Sequence, residues 1–240
     1  MSDLLLTLSN DSGEPLQADY DVDQWEHLEL TSKDPCRTDI VNPSFPQDPV
    51  YVVRTNERGA HPITTYRRAT DASGNKVPSN DSDDNVIATL EWHLYRSDKL
   101  CLRGGKKQTV GDWLKRRKVG RIGGVSFTDE KGKAYIWKPE NTVKSGQDKG
   151  LTLQLFTSSA SSSSHPIALF VPATKGRLHI DKYAKPASIL YSERAAQFQI
   201  LDKIVLSALL IEKSRAFSGK GSTSILSSRV SLMGVGLTTV

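Results

Sequence analysis

Between Lys203 and Glu212 the chain reads Ile-Val-Leu-Ser-Ala-Leu-Leu-Ile, and at about 100° per residue on a helical wheel these side chains point in every direction. A surface helix needs a polar stripe, and this one has none. Ile200 to Phe217 is about 27 Å long as a helix, but Asp202, Lys203, Glu212 and Lys213 leave only eight uninterrupted apolar or small residues. A membrane span needs about twenty. The segment therefore reads as a helix, Ala195 to Phe217, enclosed by protein rather than lipid. Its six large aliphatic side chains represent about 10 to 18 kcal/mol of gross burial, an upper bound because the unfolded chain already hides part of that surface. The rest of the chain must surround it.

The remaining segments read as strands. In VIATLEWHLY, Val86, Ala88, Leu90, Trp92 and Leu94 alternate with Thr89, Glu91 and His93, the period of a strand with one dry face. VSFTDEKGKAYIW reads as a hairpin turning at Asp129 to Gly132. VYVVRT and ITTYRRAT flank NERGAHP as another. LTLQLF alternates Leu151, Leu153 and Leu155, and IALFV, GRLHI and SILYS add three short β-type runs. Short strands at even spacing predict a mainly β fold, a closed antiparallel barrel around the helix. TVGDWLKRRK starts with Thr109 three residues before Asp112, a capping pattern for a short helix outside the barrel. The serine-rich stretch Ser158 to Pro166 reads as a loop.

The ordered set VYVVRT, TTYRRAT, IATLEWH, DWLKRRK, AYIWK, PASILYS and LDKIVLSALLIEKSR resembles an uncharacterised domain family of mushroom-forming fungi, domain of unknown function 6593. The resemblance covers Leu4 to Phe217. That family is similar in layout to the tubby, LURP-one and phospholipid-scramblase barrels, which implies a closed barrel threaded by a hydrophobic C-terminal helix. It implies no activity. The chain is read as one domain over residues 1–217, departing from the family pattern in an acidic insertion near residues 18–34 and in a tail over 218–240.

Chemistry is hard to find. Cys36 and Cys101 are too few for a disulfide framework and too far apart for a metal knuckle. The five histidines, His27, His61, His93, His165 and His179, are scattered, with none at i+4 from another and no neighbouring Cys, so no metal and no cofactor is expected. Glu91 and His93, two apart on one strand face, could form an acid/base pair, and so could His179 and Asp181. Both read first as solvated polar faces. NDSDDN, residues 80–85, lacks the central Gly and distal Glu of a calcium loop. GGVSFT is not a nucleophile elbow, and SGKGSTS is not a phosphate loop. The opening MSDLLLTLSND has no basic flank and no cleavage site, so a cytoplasmic protein is expected, peripheral to membranes at most.

Charge remains. Residues 1–50 hold eleven acids and two bases, a balance of −9, and the rest hold sixteen acids and thirty bases, a balance of +14, so the overall +5 hides a polarised chain. The densest basic cluster is Lys106, Lys107, Lys115, Arg116, Arg117, Lys118 and Arg121 around Trp113. A solvated face explains such a run. An acidic phospholipid surface, at about 1 kcal/mol per basic residue, is the functional alternative, with Trp113 as apolar anchor. Nucleic acid is disfavoured, because no recognition motif or stacking platform accompanies the charge. The expectation is a non-enzymatic binding or scaffold module for acidic lipid or a membrane-associated partner protein. The alternatives are a small hydrolase built from loop Ser, His and Asp residues, and a basic nucleic-acid binder.

Overall fold

In the computed structural model, which describes residues 24–69, 76, 85–93, 97–119, 122–139, 152–158, 165–173 and 186–217, thirteen antiparallel strands form one continuous sheet. They are β1 (Glu26–Leu30), β2 (Thr38–Val41), β3 (Pro49–Asn56), β4 (Ile63–Arg68), β5 (Val86–Glu91), β6 (Lys99–Leu102), β7 (Gln108–Thr109), β8 (Lys115–Val119), β9 (Ile122–Thr128), β10 (Ala134–Pro139), β11 (Leu153–Thr157), β12 (Ala168–Val171) and β13 (Ser188–Tyr191). The order across the sheet runs from β7 back to β1, then β13 down to β8. Every hydrogen-bonded pair is thus a sequence neighbour except β1 with β13. The two expected hairpins are present as β3–β4 and β9–β10, the latter turning at Gly132, whose φ of +78° suits glycine. GRLHI, most of the serine-rich loop, most of NDSDDN and the 218–240 tail lie outside the described residues.

The helical part divides into α1 (Val110–Trp113), α2 (Glu193–Gln197) and α3 (Leu201–Phe217). The single helix expected from Ala195 is interrupted, because Gln199 adopts a left-handed φ of +57° and turns the chain before α3 begins. From Lys203 to Glu212 every residue of α3 is buried, so protein covers all its faces. Contacts come from both halves of the sheet. Trp137 on β10 donates its indole N–H to Ser207 Oγ at 3.0 Å, while Tyr51 on β3 and Arg68 on β4 both donate to Asp202 Oδ1, at 3.0 and 2.7 Å. The sheet therefore curls around the helix.

Hydrogen bonding does not close the expected barrel. The ends of the ladder are β7 and β8, and no pairing between them occurs among the described residues. The reason is local: β7 is two residues long, and Thr109 Oγ1 accepts from Asp112 N–H at 3.0 Å, capping a single helical turn where a hairpin would be needed. No described helix is long and apolar enough to cross a membrane.

Strand interiors follow the alternation only in part, because Ile87 on β5, Ile136 on β10 and Leu169 on β12 are buried beside inward-facing neighbours, so these strands are covered on both faces at those positions. Ala88 and Leu90 are fully buried, as are Leu155 and Tyr135. The β5 strand stops at Glu91, however, and Trp92 is only half-buried, its indole donating to Thr64 Oγ1 at 2.6 Å. Within the acidic 18–34 stretch, Glu26–Leu30 forms β1, whose Leu28 and Leu30 sit in the core between β13 and β2.

Candidate functional site

The capped turn expected in TVGDWLKRRK forms, but it ends at Trp113, and Lys115–Val119 continues as strand β8 against β9. The turn ends where Leu114 leaves helical geometry, at φ −102° and ψ 84°. Trp113 is 5% exposed and stacks on Phe127 at 5.5 Å, which stacks in turn on Tyr135 at 5.3 Å. Trp113 is thus a core residue, and an anchoring role in headgroups is incompatible with this packing. Its Nε1 finds no hydrogen-bond partner among the described residues.

The basic run consequently lies on a sheet edge, where charged side chains discourage pairing with another chain's strand. Lys115 and Arg116 are exposed at the start of β8, and Lys106 and Lys107 are exposed ahead of β7. The Arg117 and Lys118 backbones pair opposite Gly124 and Gly123, and Arg121 lies outside the described residues. Lys107 is engaged by Glu91 Oε2 at 3.0 Å.

A pocket of about 540 Å³, which the strand pattern gave no sign of, opens at the amino-terminal end of α3. Val50, Ile87, Leu102 and Leu206 give it apolar walls, and Arg68, Arg103, Glu130, Asp202 and Lys203 give it charge. Two pairs absorb most of that charge, Arg68 with Asp202 and Lys203 with Glu130. Burial pulls the Arg68 guanidinium down, but the hydrogen bond and charge of Asp202 outweigh it and leave the group more basic than usual. Burial, reinforced by the Asp202 charge, pushes the Tyr51 hydroxyl well up, so it stays a neutral donor. Arg103, in the turn leaving β6 with a φ of +33°, lines the pocket without an acidic partner among the described residues.

A third grouping corrects the reading of the histidines as scattered. In the β4–β5 ladder Ile63 lies opposite Glu91, and Trp92 N–H donates to Pro62 carbonyl at 2.9 Å. Continuing that register sets His61 opposite His93. The two rings lie 4.3 Å apart, tilted by 54°. Glu91, two residues from His93 and so on the same face, brings Oε1 to 3.2 Å from His93 Nε2. One donor atom from each of His61, Glu91 and His93 lies within 4.8 Å of the other two. The hydrogen bond from Lys107, chiefly, holds the Glu91 carboxyl below the usual glutamate range. Neither i+4 spacing nor a Cys motif could signal this set. The signal was the mutual register of two strands that were legible only singly.

The sequence model of a family described as "Family of unknown function (DUF6593)" matches residues 33–216, more than half of the chain. No curated protein and no solved structure matches it. The chain belongs to that family.

Proposed function

We propose that this member of a family of unknown function is a non-enzymatic binding module, cytoplasmic and peripheral to membranes, that engages acidic phospholipid headgroups. The observation that carries the reading is Arg103 at the mouth of the apolar-walled pocket, a guanidinium with no acidic partner among the described residues. A planar, always-charged fork suits a phosphate or carboxylate, and the walls of Val50, Ile87 and Leu206 suit the apolar part of an amphiphile. Exposed Lys106, Lys115 and Arg116 add attraction for an anionic surface without requiring Trp113 to leave the core. In the same reading the curled sheet is a tubby-like barrel, with α1 spanning the seam between β7 and β8; enclosure of α3 on every face supports this. The family's fungal setting, implied by sequence resemblance, belongs to the same proposal.

Vesicle sedimentation tests it. Phosphatidylcholine vesicles carrying phosphatidylserine or a phosphoinositide should retain the chain, and phosphatidylcholine alone should not. Retention should weaken with salt, since charges are screened within about 8 Å at physiological ionic strength. Arg103→Glu, and separately Arg116→Glu with Arg117→Glu, should each reduce retention while the melting temperature stays within a few degrees of wild type. Displacement by duplex or single-stranded nucleic acid at matched ionic strength would favour the nucleic-acid reading. Absence of binding to either would leave the basic residues as a solvated face and end the lipid proposal.

A further inference from the structure

We propose that His61, Glu91 and His93 form a binding site for one divalent transition-metal ion of the zinc class, at the end of the β4–β5 ladder where β4 begins and β5 ends. The backbone builds the arrangement. Beyond the last ladder pair, Ile63 with Glu91, the Trp92 N–H to Pro62 carbonyl bond carries the antiparallel register one step further and sets His61 opposite His93, while the Glu91 carboxylate turns to the His93 ring at 3.2 Å. Two imidazoles and one carboxylate suit zinc, copper or nickel and not the hard, all-oxygen preference of calcium or magnesium.

The distances fit. With metal–ligand bonds of about 2.0 to 2.1 Å, tetrahedral geometry separates ligand atoms by about 3.3 Å. Glu91 Oε1 and His93 Nε2 already stand at 3.2 Å. The widest separation in the set is bounded by 4.8 Å, so closing it requires the remaining ring to move by about 1.5 Å or less, judged against that tetrahedral edge. His61 is exposed on a loop and can make the movement, while His93, with 11% of its side chain accessible, and the strand-borne Glu91 form the fixed side.

Supporting contacts are of the kind that orient metal ligands. The His93 backbone N–H donates to Asp98 Oδ1 at 2.9 Å, fixing the chain where β5 ends. Lys107 Nζ occupies Glu91 Oε2, leaving Oε1 as the oxygen turned toward His93. Three protein ligands leave a fourth position to water or a small anion, the open pattern of a non-structural site. The site is independent of the lipid reading, sharing only Lys107 with the basic cluster.

The test uses the tag-free full chain dialysed against micromolar Zn²⁺, with bound metal measured by mass spectrometry, and titrated in parallel with Co²⁺ as a spectroscopic probe. One Zn²⁺ per chain and a tetrahedral visible Co²⁺ band displaced by Zn²⁺ are expected. His61→Ala, in an exposed loop where folding is not at stake, should weaken binding at least tenfold. Glu91→Gln and His93→Ala should do the same, with circular dichroism reporting their folding, whereas His27→Ala and His165→Ala should change nothing. Failure to bind Zn²⁺ below 100 µM, binding that survives His61→Ala, or binding that follows His27 or His165 would overturn the assignment.

Discussion

Ser207 offers a sharp measurement of whether α3 is gripped as described. Its hydroxyl is fully buried, accepts from the Trp137 indole at 3.0 Å and donates to the Ile204 carbonyl at 3.0 Å. Ser207→Ala orphans a buried indole N–H, which costs about 1 to 3 kcal/mol. Alanine's better helix propensity returns about 0.5 kcal/mol. The net loss should be about 0.5 to 2.5 kcal/mol. Trp137→Phe removes the donor itself and leaves a void beside Phe170, whose ring meets Trp137 edge-on at 6.5 Å; about 1 to 3 kcal/mol is expected for a substitution of this kind. In the double variant there is no N–H to orphan, so the combined loss should fall short of the sum by about 1 kcal/mol. Equilibrium urea unfolding, followed by near-ultraviolet circular dichroism and fluorescence together, gives all four free energies. Additivity within about 0.3 kcal/mol, or a Ser207→Ala chain more stable than wild type, would refute the placement of this helix face against β10.

Leu209→Asp would bury an unpaired charge at a cost of several kcal/mol, so an insoluble or unfolded product is expected, and a soluble chain with unchanged melting temperature would contradict an enclosed α3. Burial, only partly offset by the charge of Lys213, pushes the Cys36 thiol up; Cys101 is more accessible. A disulfide reagent at pH 8 should therefore titrate one thiol quickly and the second only on unfolding. Because the folded Glu91 carboxyl titrates below the usual glutamate value, its stabilising contribution is complete above that value and disappears as pH falls through the lowered one. A carbon-detected NMR titration should place Glu91 below the usual glutamate value in wild type and move it upward in Lys107→Gln.

Elements set by side-chain periodicity were readable without coordinates. The eight residues between Lys203 and Glu212 announced an enclosed helix because no rotation of the wheel gives them a wet side, and they are buried throughout. Ala88 and Leu90 announced the dry face of β5 in the same way. Positions where one side chain chooses between two environments were harder. Trp113 sits in the middle of a basic run, and composition alone made it an anchor, whereas its ring joins Phe127 and Tyr135 in the core. The KRRKV that follows is an edge strand and no part of the helix. Gln199 carried no glycine to mark the break before α3. The pocket and the His61–Glu91–His93 grouping depend on pairs of elements distant in sequence, and alternation within one strand says nothing about its register against another.

The pairing of β1 with β13 sets a timetable for synthesis. Glu26 finds its partner only when Tyr191 has been made, and α3 follows later still. At about 5 to 20 residues per second on the ribosome, about 8 to 33 seconds separate the emergence of β1 from that of β13, its partner on the side away from β2. During that interval the hairpins can form, but the concave face that will hold α3 has nothing to cover it. The nascent chain therefore presents Tyr51, Tyr66, Leu90, Phe127 and Trp137 to water, and with them its greatest risk of self-association. Release from that state comes only when Leu201–Phe217 leaves the exit tunnel and enters the sheet, so a ribosome stalled within α2 would hold a chain with nearly all its strands and no filled interior.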